Sequence, residues 1–216
     1  MKFVSVVAGL ALVSAALYFI SDAQTRTRAV SRDASVPAFS EADETPKDNP
    51  DAAPTPAPDG PKVALDTLLD ARSAPQAPAF AEGSWVNSDP LTPESLRGRV
   101  VLVDFWTFGC YNCRNTLPTL KRFHERYGGR GLTVVGVHSP ESDREKDILN
   151  VRRQVRSLGL RYAVVTDNDY RTWTAYAIDA WPTVVILDKR GRIRYKHVGE
   201  GRYEQQEEVI RTLLAE

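Results

Sequence analysis

Cys110 and Cys113 are the only two cysteines among 216 residues, and just two residues separate them in Phe108-Gly109-Cys110-Tyr111-Asn112-Cys113. Thiols at helix-turn spacing can cycle between dithiol and disulfide without large backbone movement. Their flanks narrow the local fold further. An apolar run, Val100-Val101-Leu102-Val103-Asp104-Phe105-Trp106, feeds into the pair, and a helical pattern comes after it. This order predicts a buried strand that delivers Cys110 to the N-terminus of a helix.

A lone pair of cysteines excludes a disulfide-stapled scaffold and any four-thiolate zinc site. Stability must then come from a hydrophobic core, and 42% hydrophobic residues are enough to build one. Lys plus Arg and Asp plus Glu both total 28, so no net field points to nucleic acid or anionic lipid.

The chain divides into three parts. Residues 1–21 hold Lys2 and then a run from Phe3 to Ile20 that is apolar except for Ser5, Gly9 and Ser14. A helix of that length nearly spans a hydrocarbon core of about 30 Å, so it reads as a retained membrane anchor or a cleaved signal peptide. Either way, the downstream chain is expected outside the cytoplasm. Residues 22–79 are rich in Pro, Ala and Asp, as in Pro54-Thr55-Pro56-Ala57-Pro58-Asp59-Gly60-Pro61, and are expected to form a flexible linker. Within it, Val63–Leu69 is expected to dock on the domain as one short helical turn. Residues 80–216 form the folded domain.

In that domain the hydrophobic period alternates between strand and helix. Strands are expected at Val100–Trp106, Leu132–His138, Ala163–Thr166, Thr183–Leu187 and Ile193–Val198. Helices are expected at Asn112–Tyr127, Glu145–Leu158, Tyr170–Tyr176 and Tyr203–Ala215. Strand–helix–strand order at the start implies a right-handed parallel crossover. Asp188-Lys189-Arg190-Gly191 reads as the turn of a closing hairpin. The fold class is therefore α/β, a mixed sheet flanked by helices on both faces.

Placement sets the chemistry. A thiolate, not a thiol, attacks a disulfide, and a helix N-terminus stabilises the anion. Cys110 is expected to be the nucleophile, with Cys113, one turn in and more buried, resolving the mixed disulfide. Asp104 interrupts an apolar strand; buried there, it would have a raised pKa and could exchange a proton with Cys113, whereas strand alternation alone could also turn it outward. Pro182 opens a strand, an ordinary place for proline, and composition by itself favours a trans bond there. Two other readings stay open: a metal-binding module, copper or zinc, recruiting His124 or His138 beside the cysteines, and a purely structural disulfide.

Val103-Asp104-Phe105-Trp106, Cys110-Tyr111-Asn112-Cys113 and Trp181-Pro182-Thr183, in this order, resemble the thioredoxin superfamily. Phe105-Trp106-Thr107-Phe108-Gly109-Cys110-Tyr111-Asn112-Cys113 is similar to extracytoplasmic members of the TlpA/ResA type and especially to the thioredoxin-like domain of DipZ-type proteins. Gly136-Val137-His138-Ser139-Pro140-Glu141, Asp167-Asn168-Asp169-Tyr170 and Gly199-Glu200-Gly201 before Tyr203 add to it. The resemblance implies a thioredoxin-like fold and thiol–disulfide exchange on protein substrates, with no bound cofactor. It implies a cis-proline at Pro182, substrate pairing at Trp181, and a place for Trp106 and Asp104 beneath the dithiol. It also suggests a DsbD/CcdA-like membrane thiol transporter as electron donor. Tyr111-Asn112 stands where cytosolic thioredoxin has Gly-Pro, so the direction of electron flow does not carry over.

Overall fold

Seven consecutive buried residues, Val100–Trp106, form the central strand of the sheet. The computed structural model describes residues 60, 61 and 63–216. The apolar segment 3–20 and the linker as far as residue 59 lie outside the described residues. Among the described residues, no helix is long and apolar enough to cross a membrane.

In chain order the elements are β1 (Trp85–Val86), β2 (Val100–Trp106), α1 (Tyr111–Tyr127), β3 (Leu132–His138), α2 (Asp143–Lys146), α3 (Ile148–Ser157), β4 (Ala163–Thr166), α4 (Arg171–Ala175), β5 (Thr183–Leu187), β6 (Ile193–Val198) and α5 (Tyr203–Ala215). A 3₁₀ turn, Gly128–Arg130, ends α1. The strands form one mixed sheet in the order β1-β4-β3-β2-β5-β6. β2, β3 and β4 are mutually parallel, while β5 runs antiparallel to β2 and β6 antiparallel to β5. The parallel start and antiparallel finish match the sequence reading, because the first two long strands are covered on both faces and therefore read as continuous apolar runs.

Alternation along β2 sorts the core into two layers. Val100, Leu102 and Trp106 face α1, α3 and α5, where Cys113, Leu117, Leu120, Val151, Val155, Val209 and Leu213 close the layer. Val101, Val103 and Phe105 face the other way, toward Trp173 of α4, Tyr176 and Ile178, with Phe80, Leu91 and Leu96 packed outside them. Helices thus cover both faces of the sheet.

Three features differ from the sequence reading. The helix expected over Glu145–Leu158 is two helices, because Asp147 adopts an extended backbone and its side chain caps α3 by accepting the Leu149 N–H at 2.8 Å. Strand β1 has only two residues, too few for any period, yet Trp85 and Val86 pair with Val165 and Val164. The Val63–Leu69 segment docks, but as a turn at Leu65–Asp66 and not as a helical one. The chain onward from there runs along β6: the Asp66 and Leu69 amides donate to Lys196 O and Arg194 O, the Ile193 amide donates to Pro75 O, and Gln76 bridges to Arg192. Backbone donors and acceptors on an edge strand need partners, and here the segment ahead of β1, more than 100 residues away in sequence, supplies them.

Candidate active site

The C-terminal end of β2 meets the start of β5, with Phe105 opposite Thr183. Residues 107–113 and 181–182 therefore emerge at the same end of the sheet. There, Cys110 and Cys113 form a disulfide with Cα atoms 5.3 Å apart. Cys110 is the N-cap of α1 and its sulfur accepts the Cys113 amide at 3.1 Å. This amide is one of those a helix N-terminus leaves without an intrahelical partner. Cys110 is half-buried and Cys113 fully buried, while Tyr111 between them is 77% exposed.

Asp104 is fully buried, and neither carboxylate oxygen has a hydrogen-bond partner. Burial pushes its pKa up to about 8. Alternation with Leu102 and Trp106 places it on the α1 face, the layer that holds Cys113, and not outward. The charge of Asp104 adds to burial in raising the Tyr162 phenol, whose hydroxyl also lacks a partner.

Trp106 has no exposed surface and packs edge-on against His138, with ring centroids 5.2 Å apart. It lies in the same core layer as Cys113. The peptide bond between Trp181 and Pro182 is cis, against the expectation from composition and as the resemblance implied. The Pro182 carbonyl accepts the Gly199 amide at 2.8 Å. Trp181, half-buried, packs against Trp173 with centroids 4.3 Å apart.

The histidines considered as metal ligands have other surroundings. His138 is buried, stacked on Phe108, with Nε2 3.4 Å from Thr107 Oγ1. Burial lowers its pKa to about 4, partly offset by the charge of Glu145. His124 packs against Tyr162. Among the described residues, no group of three or more His, Cys, Asp or Glu side chains is placed to hold a metal ion.

One site residue escaped the sequence reading. Glu145 of α2, 3% exposed, accepts the amide of Gly109, the residue before Cys110, at 2.7 Å. Its other oxygen accepts the Glu141 amide at 2.6 Å. A glutamate in a charged stretch, Asp143-Arg144-Glu145-Lys146-Asp147, carries no pattern that would betray this reach.

Residues 98–193 match a family described as thioredoxin-like. Protein DipZ of Mycobacterium bovis is 40% identical over 133 residues, covering 60% of this chain and 19% of its own length. The chain thus spans about a fifth of the length of that relative. The thiol-disulfide oxidoreductase YkuV of Bacillus subtilis is 23% identical and 95% covered, with 66% of this chain aligned. The crystal structure of a thiol-disulfide isomerase from Corynebacterium glutamicum superposes with a TM-score of 0.62 at 25% identity, covering 67% of this chain and 99% of that one. The mixed sheet, the disulfide at the α1 N-terminus and these matches together show a thioredoxin-like domain in the folded part of the chain.

Proposed function

We propose that this protein is a thiol–disulfide oxidoreductase that reduces protein disulfides outside the cytoplasm. The observation that carries it is the asymmetry of the Cys110–Cys113 disulfide: one sulfur is half-exposed at a helix N-cap and the other fully buried. In the reduced protein the Cys110 thiolate attacks one sulfur of a substrate disulfide. A mixed disulfide forms and the first substrate thiolate leaves. Cys113 then attacks the Cys110 sulfur, the second substrate thiolate leaves, and the enzyme pair is oxidised as the substrate is reduced.

Asp104, buried on the Cys113 side of the sheet with a raised pKa, takes the Cys113 proton as that thiol becomes the attacking thiolate. Trp181 and cis-Pro182 emerge at the same end of the sheet as the half-exposed sulfur, and the Trp181 backbone pairs with the substrate chain. Residues 1–21 hold the domain at a membrane or direct its export, and the Pro/Ala/Asp-rich stretch after them acts as a tether. Renewed reduction then calls for a dithiol donor of the DsbD/CcdA kind in the membrane.

Insulin reduction with a small dithiol as donor tests this reading. Wild type is expected to accelerate precipitation of the freed insulin B chain, Cys110→Ala to abolish the acceleration, and Cys113→Ala to accumulate as a mixed disulfide on Cys110. Equal rates for wild type and Cys110→Ala would overturn it.

A further inference from the structure

Three buried carboxylates lie outside the exchange steps. Asp167 accepts the Thr172 and Trp173 amides at the start of α4, and Asp188 pairs with Arg192 and Arg194. Both do structural work remote from sulfur. Glu145 alone reaches the dithiol loop.

Its carboxylate is held by two amides, from Gly109 and Glu141. Gly109 is fitted to it. A Cβ at this position would come within 2.4 Å of Glu145 Oε1, although Gly109 is not among the glycines with positive φ. A side chain here would displace the carboxylate from the Gly109 amide.

We propose that Glu145 is a positioning residue that biases the Cys110–Cys113 pair toward the disulfide. It places negative charge beside the residue preceding Cys110 and occupies that residue's amide. Both effects disfavour a thiolate on Cys110, and a less stable thiolate makes the dithiol a stronger reductant. Other ionisable groups near the loop and Glu145 include Asp104 of β2, His138 of β3 stacked on Phe108, Tyr111 and Arg114 of α1, Glu141, Lys146 and Tyr170. None of these accepts the Gly109 amide. The inference rests on the exchange function above and names the residue that sets its direction, where Tyr111-Asn112 left it open.

The test is an equilibrium of the 216-residue chain with glutathione. Protein disulfide plus two glutathione thiols yields protein dithiol plus glutathione disulfide. Glu145→Gln removes the charge while keeping one acceptor, and is expected to shift the constant about tenfold toward the dithiol, equivalent to ~30 mV. Alkylation of reduced Cys110 by iodoacetamide is expected to move to lower pH in the same variant. Gly109→Ala, which pushes the carboxylate off the amide, is expected to shift both readings in the same direction. If Glu145→Gln does not fold, Gly109→Ala decides alone. Folded variants with the wild-type constant and alkylation profile, or with shifts in the opposite direction, would overturn the proposal. Failure of the exchange function itself would appear separately, as wild type that does not reduce insulin, because this equilibrium requires no protein substrate.

Discussion

Asp104 lies directly opposite Gly136 in the β2–β3 ladder, so no side chain from β3 stands beside its carboxylate. A larger residue at that position would force its neighbours to shift. A Cβ on Gly136 would come within 2.8 Å of Trp106 Nε1 and 3.4 Å of the Tyr162 ring. Glycine here lets two large side chains close over Asp104 without offering it a cation, and desolvation then acts on the carboxylate unopposed.

Replacing Asp104 should reveal that cost as a dependence on pH. Its pKa is raised in the fold from 3.8 to about 8. Between those values the native state holds a proton that the unfolded chain has released, so stability falls as pH rises through that window. The slope approaches about 1.4 kcal/mol per pH unit. Asp104→Asn lacks this titration and is expected to gain stability relative to wild type at pH ~8 compared with pH ~5. Urea unfolding at the two pH values is the measurement, and an unchanged difference would count against the buried assignment.

His138 gives a slope of the opposite sign. Burial lowers its pKa from 6.5 to about 4, so between those values the unfolded chain binds a proton that the native state does not. Stability is lost as pH falls through this window, by as much as about 1.4 kcal/mol per unit. The Asp104 and His138 slopes oppose each other between about pH 4 and 6.5, and Asp104 alone remains above that. His138→Phe keeps a ring between Trp106 and Phe108 and is expected to remove the acid-side loss. Unfolding midpoints across this range should show it by subtraction from wild type.

Gly136→Ala tests the close approach itself. The new methyl group would meet a rigid indole rather than a flexible chain, so the β2–β3 ladder or Trp106 must shift. Overpacking of this kind typically costs about 1–3 kcal/mol. Thermal unfolding of the oxidised protein should register the loss, and near-ultraviolet circular dichroism should report a moved Trp106. A melting temperature equal to wild type would show that the space is larger than the geometry indicates.

The docked segment ahead of the domain hangs on Asp66. Its carboxylate is 2.7 Å from His197 Nδ1 and accepts the Tyr195 hydroxyl at 3.2 Å, and the Gln205 side chain donates to its carbonyl at 2.9 Å. Asp66→Ala removes the first two and leaves the Tyr195 and His197 groups without that partner, a loss of about 1–3 kcal/mol. Limited proteolysis is expected to cut faster between residues 63 and 79 in the variant, with cleavage elsewhere in the domain unchanged.

The sequence by itself determined the parts of this protein whose burial is periodic. Five strands, from Val100–Trp106 to Ile193–Val198, stand where the hydrophobic pattern placed them, and the first two long ones read as near-continuous apolar runs because both their faces are covered. The Cys110–Cys113 pair and its helix were equally plain, because three residues of local chain fix their geometry. Tertiary structure alone decided the remainder. β1 exists only through its pairing with β4, and the linker's end is held by contacts with β6, α5 and the core that no local pattern encodes. The orientation of Asp104 depended on which strand face α1 covers. Glu145 meets Gly109 across 36 residues of sequence through a single hydrogen bond. Periodicity reports which face is buried and never which partner waits there. The pairing of Asp104 with Gly136 and of Glu145 with Gly109 is therefore a product of the fold.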